Sequence, residues 1–133
     1  MRNINKIIIH CSATEAGQEI SIDTIREWHI ERGFKDIGYH YVIGLDGAVF
    51  TGRNITEIGA HTKGQNSDSV GICYVGGLLN GKAKDTRTKE QKNVLKLLIY
   101  QLKQVFPDAS AEPHYKYANK DCPCFNVEAE YYA

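Results

Sequence analysis

The chain has 133 residues, 42% of them hydrophobic, and its 16 acidic residues balance its 16 lysines and arginines. This length predicts one compact domain over residues 1–133 and leaves no room for a second module with its own core. The balanced charge gives no global positive field, so we expect no nucleic-acid partner.

The first residues and the cysteines indicate the compartment. The only apolar run near the N-terminus is the three isoleucines at positions 7–9, far short of a signal-peptide core or a membrane span. We therefore expect no membrane insertion, and a monomer that stays in the cytoplasm unless another factor releases it. Four cysteines could form two disulfides, but a cytosolic chain of this composition favours metal binding or simple burial.

The first predicted elements are a strand and a helix. Residues 6–10 form a β-branched run bounded by polar residues, which predicts a buried strand with His10 at its C-terminal end. Ser21 is a suitable N-cap, and Gly33 is a suitable stop, for a helix between them. The apolar face predicted for this helix contains Ile22, Ile25, Trp28 and His29.

A hairpin is predicted next. Residues 38–45 and 48–51 are strand-like and flank Asp46-Gly47, a favoured two-residue turn. Tyr39 and His40 open the first of these strands. Side chains alternate along a strand, so if Tyr39 faces a site, His40 faces away from it.

The second half of the chain predicts another strand and the longest helix. Residues 69–75 are apolar and strand-like, and the polar stretch 80–87 that follows predicts an exposed loop. Thr88 and Gln91 form a capping box, and Pro107 ends the helix that they begin. The apolar face predicted for this helix contains Val94, Leu95, Leu98, Leu102 and Val105.

The C-terminal part predicts a short edge strand, a loop and a last short helix that begins at Asn126. Prolines and polar residues in 113–115 and 119–124 favour the loop. Strand, helix, strand pair, strand, helix and loop together predict an α/β fold, in which helices flank one mixed central β-sheet.

The histidines and cysteines suggest a metal site. A hydrolytic zinc site needs three ligands of the His, Cys or carboxylate type and an open position for water. His10, His114 and Cys122 are one suitable trio. With five histidines and four cysteines many other trios exist, and each of these residues could simply be packed or exposed.

Several short motifs follow one another along most of the chain. They are residues 10–14, 38–41, 46–47, 52–53, 59–61, 66–72 and 114–123. Their order over about residues 6–125, with the interval of eight positions between His114 and Cys122, resembles the type 2 N-acetylmuramoyl-L-alanine amidases. Within that family the chain is most similar to the amidase-type lysozymes of bacteriophages.

The resemblance implies a fold, a substrate and a site. The fold is the mixed-sheet amidase fold shared with peptidoglycan recognition proteins. The substrate is peptidoglycan, both glycan strand and stem peptide, cut at the amide between N-acetylmuramic acid and L-alanine. His10, His114 and Cys122 are implied to bind one Zn²⁺ per chain, while Tyr39 and Lys120 are implied to assist catalysis.

These implied roles make chemical sense, and each has an ordinary alternative. Lys120 can stabilise the oxyanion on the attacked carbonyl, although most lysines are merely solvated. The Tyr39 phenol can hydrogen-bond the zinc-bound water or the tetrahedral intermediate, although a tyrosine opening a strand is usually packed. We assign substrate contact to His61, which lies in a loop suited to a groove, and local packing to His29 and His40.

One cysteine departs from the expected pattern. Cys124 follows Cys122 after a single proline, where the family would have a small or hydroxylic residue. It could be an alternative thiolate or a redox partner, but the simpler interpretation is an incidental thiol. Cys11 and Cys73 are predicted to be buried small hydrophobes.

Other functions remain open at this level. A noncatalytic recognition module could share the fold, although the presence of Cys122 favours catalysis. A metal-free hydrolase could use Cys11 or Cys122 as its nucleophile. A phage or prophage lysis enzyme is the favoured biological role, with cytosolic wall recycling as its rival, and a regulatory protein partner is neither supported nor excluded.

Overall fold

A computed structural model describes residues 2–131, so positions 1, 132 and 133 of the predicted domain lie outside it. The strands are β1 Lys6–Cys11, β2 Thr14–Glu15, β3 Tyr41–Ile43, β4 Val49–Thr51, β5 Ser69–Tyr74, β6 Gly77–Leu79, β7 Lys82–Ala83 and β8 Ser110–Pro113. The helices are α1 Ile22–Glu31, α2 Lys89–Val105 and α3 Val127–Tyr131, with 3-10 turns at Asn66–Asp68 and His114–Lys116. None of the helices within 2–131 is long and apolar enough to cross a membrane.

The main sheet has the strand order β4-β3-β5-β1-β8. All neighbouring strands in it are parallel except the β3–β4 hairpin. Strand β1 lies between β5 and β8, and Ile7, Ile8 and Ile9 are all fully buried. A strand covered on both faces needs such a continuous β-branched run, so the predicted buried strand is confirmed.

Helices cover both faces of this sheet. Leu95, Leu98 and Leu102 of α2 pack with isoleucines of β1 on one side. Ile25 of α1 packs with Val42 of β3 in a second buried cluster. The predicted mixed sheet flanked by helices is therefore the observed arrangement.

The predicted helix caps are also observed. The Ser21 hydroxyl accepts from the Thr24 N–H, and Thr88 and Gln91 form the reciprocal capping box. Gln91 is completely buried, and its amide donates to the carbonyl oxygens of Ile43 and Val75. This residue therefore both begins α2 and fastens it to the sheet.

Two residues assigned to the helix faces are exposed instead. Trp28 is 38% exposed, because it lies on the edge of the stripe that Ile25 and His29 bury. Val105 is 61% exposed, because α2 ends there and Phe106 is the residue packed against the core.

The predicted hairpin is observed, but the predicted length of its loop is wrong. The Gly44 N–H donates to the Ala48 oxygen and the Gly47 N–H to the Gly44 oxygen, so the loop comprises residues 45–47 rather than two residues. Gly47 has a φ of 87°, which is typical of the last position in a three-residue hairpin loop.

A second sheet, with the order β2-β6-β7, was not predicted. Its strands have only two or three residues each, too few for an alternating pattern to be recognised. Strand β7 lies inside the stretch 80–87, which was predicted to be an exposed loop.

The same stretch ends in a buried charge. The Arg87 guanidinium pairs with Asp85 at 2.9 Å and with Glu130 at 2.8 Å, and it donates to the Tyr131 hydroxyl. It also stacks 3.4 Å from the centre of the Phe125 ring. These contacts connect the segment before α2 to α3, which explains why an arginine in a polar stretch is buried.

Candidate active site

The proposed metal ligands meet at the C-terminal end of the parallel strands. His10 is the penultimate residue of β1 and is 1% exposed. Ile9 pairs in register with Pro113 of β8, so His114, the next residue, lies beside His10. Cys122 comes from the loop before α3. The donor atoms of His10, His114 and Cys122 all lie within 4.8 Å of one another.

The spacing of these donor atoms suits a tetrahedral metal ion. Nδ1 of His10 lies 3.2 Å from Nδ1 of His114. Two nitrogens bound tetrahedrally to zinc at ordinary bond lengths are about 3.3 Å apart. The Cys11 backbone N–H donates to Cys122 Sγ at 3.1 Å, which holds this sulfur beside the end of β1. Two imidazoles and one thiolate leave a fourth position open for water.

The electrostatics favour the metal-binding form of both histidines. Burial, followed by the neighbouring histidines, lowers the pKa of His10 well below its usual value. Burial also lowers the pKa of His114 to about 4, and the charge of Lys120 acts in the same direction. Both imidazoles are therefore neutral near pH 7, which is the protonation state that binds metal.

His61 lies directly behind this pair. Its Nδ1 is 2.9 Å from Nε2 of His10, and its Nε2 is 3.2 Å from the Ser69 hydroxyl. Burial lowers the pKa of His61 to about 3. Its contact with His10 was not predicted from the sequence. In the fold, a Cβ at Gly59 or Gly71 would lie within 3 Å of the His61 ring. Glycine at these two positions makes room for the imidazole.

Tyr39 lies on the α1 side of the site. Its ring is 5.0 Å from the His10 ring and 5.1 Å from the His29 ring, measured between centroids. Burial raises the pKa of Tyr39, so the phenol keeps its proton near neutral pH. Tyr39 and His40 precede β3 instead of opening it, although the His40 backbone still bonds to Gly71 of β5.

Lys120 completes a cleft beside the ligands. The cleft has a volume of about 390 Å³, and Tyr39, His61, His114 and Lys120 are among its lining residues. Lys120 itself is exposed at this opening. The structure therefore brings all six predicted site residues to one place, while their chemical roles remain predictions.

The other histidines have structural partners, as predicted. His40 is fully buried, and its Nδ1 accepts from the Gly71 N–H while its Nε2 lies 2.8 Å from the Glu57 oxygen. Nδ1 of His29 accepts from the Gly38 N–H at 2.8 Å. Both rings thus fix the segment that carries Tyr39.

The remaining cysteines lie outside the ligand trio. Cys11 and Cys73 are buried, as predicted. Cys124 Sγ lies 3.9 Å from Cys11 Sγ, and burial raises the pKa of the Cys124 thiol to about 12. At neutral pH this sulfur is therefore protonated, unlike a metal-bound thiolate.

Comparison with known proteins places this site in context. A family model described as N-acetylmuramoyl-L-alanine amidase matches residues 1–125. The endolysin of Klebsiella phage KP32 is 40% identical over 125 residues, covering 93% of this chain and 83% of the endolysin. The endolysin of Escherichia phage T7 is 39% identical over 123 residues, covering 92% and 82%.

Solved structures show the same architecture. N-acetylmuramoyl-L-alanine amidase LysC from Clostridium intestinale URNW superposes with a TM-score of 0.82 at 26% identity, covering 97% of this chain and 85% of LysC. Drosophila PGRP-LB superposes with a TM-score of 0.81 at 29% identity, covering 98% and 80%.

Proposed function

The chain belongs to the N-acetylmuramoyl-L-alanine amidase family, and on this premise we propose that it hydrolyses its amide substrate with a zinc ion held by His10, His114 and Cys122. The family, the amidase activity and the predicted fold are established by the matches to the family model, the phage endolysins and the solved amidases. Zinc dependence and the roles of individual residues are the parts that we propose.

One observation carries the zinc assignment. Three donor atoms from distant parts of the chain, two imidazole nitrogens and one thiol sulfur, lie within 4.8 Å of one another. This is the ligand chemistry and number of a catalytic zinc site with one open position. When bound, zinc polarises the scissile carbonyl and lowers the pKa of its water to about 7.

The side chains of the cleft have complementary tasks. Lys120 places a positive charge where the oxygen of the attacked carbonyl becomes negative. Tyr39, which keeps its proton, donates a hydrogen bond to the tetrahedral intermediate. His61 was assigned to substrate contact from the sequence, and its position in the cleft lining is compatible with that role.

The substrate is proposed to be bacterial peptidoglycan, cut between N-acetylmuramic acid and L-alanine. The similarity to endolysins of several phages favours a lysis role. A lysis enzyme of this kind would wait in the cytoplasm as a monomer until the membrane is breached, and would then reach the wall.

Digestion of purified peptidoglycan tests the reaction. We expect mass spectrometry to find free stem peptides with a new L-alanine amino terminus and intact glycan strands. New reducing sugar ends without new alanine termini would contradict the assignment of the cleaved bond. Neighbouring genes for a membrane-permeabilising protein would support lysis over wall recycling.

A further inference from the structure

Three side chains form a line from the ligand trio into the sheet. Nδ1 of His10 faces His114, and Nε2 of His10 lies 2.9 Å from Nδ1 of His61. Nε2 of His61 then lies 3.2 Å from the hydroxyl of Ser69. We propose that His61 is a positioning residue, which accepts a hydrogen bond from Nε2 of His10 and so holds Nδ1 of His10 free of protons and directed at the metal.

This inference rests on the proposed zinc site and adds a part to it. A neutral imidazole carries one proton, so a ring that offers Nδ1 to a cation must carry its proton on Nε2. His10 is 1% exposed, so bulk water does not provide an acceptor for that proton. The ring nitrogen of His61 is the nearer of two acceptors, because the Thr62 hydroxyl lies at 3.3 Å.

The remaining contacts of His61 are compatible with this direction, because the Thr62 hydroxyl, 3.0 Å from the same Nδ1, can also donate to it. If Nδ1 of His61 accepts from His10, the proton of His61 is on Nε2 and can be donated to the Ser69 hydroxyl. Ser69 is fully buried in β5. Both ring nitrogens of His61 are then used inside the protein, so the ring offers only its carbon edge to a ligand in the cleft. Positioning therefore explains the contacts of His61 better than polar recognition of substrate does.

The surroundings of His61 hold its ring in place. A Cβ at Gly71 would lie 2.6 Å from two ring atoms of His61, so the imidazole lies directly on the backbone of β5. Asn66 accepts hydrogen bonds from the backbone N–H groups of both His61 and Thr62, at 3.0 and 2.9 Å. A ring fixed in this way is suited to orient a ligand, because such partners set both ring angle and tautomer.

Zinc affinity is the first test, measured by competition with a chromophoric chelator. His61→Phe keeps a flat ring but removes the acceptor, and we expect zinc binding about 10- to 100-fold weaker. His61→Asn keeps an acceptor near the Nδ1 position and should recover most of the affinity. Lys63→Ala, an exposed change at the same cleft, is the control and should bind zinc like wild type.

Thr62→Val distinguishes the two acceptors of the His10 proton. Wild-type zinc affinity in His61→Phe would overturn the proposal, as would a greater loss in Thr62→Val than in His61→Phe. A raised KM for a soluble muramoyl peptide in His61→Phe, with unchanged zinc affinity, would assign His61 to substrate contact instead and would also overturn it.

Nitrogen NMR of the zinc-loaded wild type makes the test independent of how any variant folds. The proton of His10 is expected on Nε2 and that of His61 on Nε2. A proton on Nδ1 of His61 would contradict the proposed hydrogen bond. If the wild type itself binds no zinc, the proposed function and the positioning role both fail; if the wild type binds zinc and His61→Phe binds it equally well, the positioning role alone fails, so the two failures can be told apart.

Discussion

Two differently built regions supply the ligands of one site. His10 belongs to a strand with neighbours on both sides, and it is almost completely buried. His114 and Cys122 lie in the segment between β8 and α3, and both are only half-buried. A hydrogen bond from the Tyr115 N–H to the Cys122 oxygen connects the two ends of this segment. Folding of the sheet therefore sets His10 and, through the register of β8, the start of the loop at His114, whereas the position of Cys122 depends on the loop itself.

The difference explains how stability and chemistry are distributed. The sheet side holds the residues whose burial stabilises the protein, and the loop side holds exposed groups such as Lys120, which contribute little to folding. Changes in the sheet should mainly affect unfolding, and changes in the loop should mainly affect turnover.

The largest effect on stability is expected in β1. Ile7 is fully buried between the sheet and α2, so Ile7→Ala removes apolar contacts and leaves a cavity. We expect a loss of about 2–5 kcal/mol in the free energy of unfolding, with turnover per folded molecule retained. Urea denaturation and activity normalised to folded protein measure the two quantities. A loss below 0.5 kcal/mol would mean that β1 is not the stabilising region.

The largest effect on turnover is expected in the loop. Lys120→Ala should reduce kcat by about 100- to 1000-fold, which corresponds to about 2.7–4 kcal/mol of lost transition-state stabilisation. Because Lys120 is exposed, the free energy of unfolding should change by no more than about 0.5 kcal/mol. Lys63→Ala is the matched control. Wild-type kcat in Lys120→Ala would remove this residue from the mechanism.

Tyr39 contacts both regions, because its ring lies beside His10 and it lines the same cleft as Lys120. Tyr39→Phe keeps the ring that packs between His10 and His29 but removes the hydroxyl. We expect bound zinc and the melting temperature to stay the same. We expect kcat to fall by about 100-fold, which corresponds to about 2.7 kcal/mol of lost transition-state stabilisation. Unchanged kcat would show that the phenol has only a packing role.

His29 gives a smaller, pH-dependent effect on the sheet side. Burial, followed by Arg32 and Arg53, lowers the pKa of His29 to about 4. The unfolded chain therefore binds a proton near pH 6.5 that the folded chain binds only near pH 4, so this residue reduces stability as the pH falls through that window. His29→Gln should lower the slope of unfolding free energy against pH by at most about 1.4 kcal/mol per unit. Wild type and His29→Gln are both measured as zinc-loaded protein. The same slope of unfolding free energy against pH in both proteins between pH 6.5 and 4 would contradict this prediction.

The sequence predicted the features that depend on local pattern. The isoleucine run gave β1, and the capping residues of α1 and α2 marked where both helices begin. The trio of His10, His114 and Cys122 came from ordered motifs, and the structure brings its donor atoms together.

The features that were missed depend on tertiary partners. Arg87 is buried because Glu130, 43 positions away, pairs with it, and no local pattern reveals such a pair. The contact between His61 and His10 depends on glycines that lie in separate segments. The length of the hairpin loop depends on how β3 and β4 pair, which the favoured Asp46-Gly47 turn did not determine.

Zinc content and amidase rate of two matched serine variants test the central claim most directly. Cys122→Ser replaces the thiolate of the trio, and we expect it to lose both zinc and activity while circular dichroism shows a folded protein. Cys124→Ser, two positions away, should keep one zinc per chain and near wild-type activity. Zinc retained in Cys122→Ser but lost in Cys124→Ser would show that the wrong thiol was assigned, and full wild-type activity after verified zinc removal would contradict the metal mechanism.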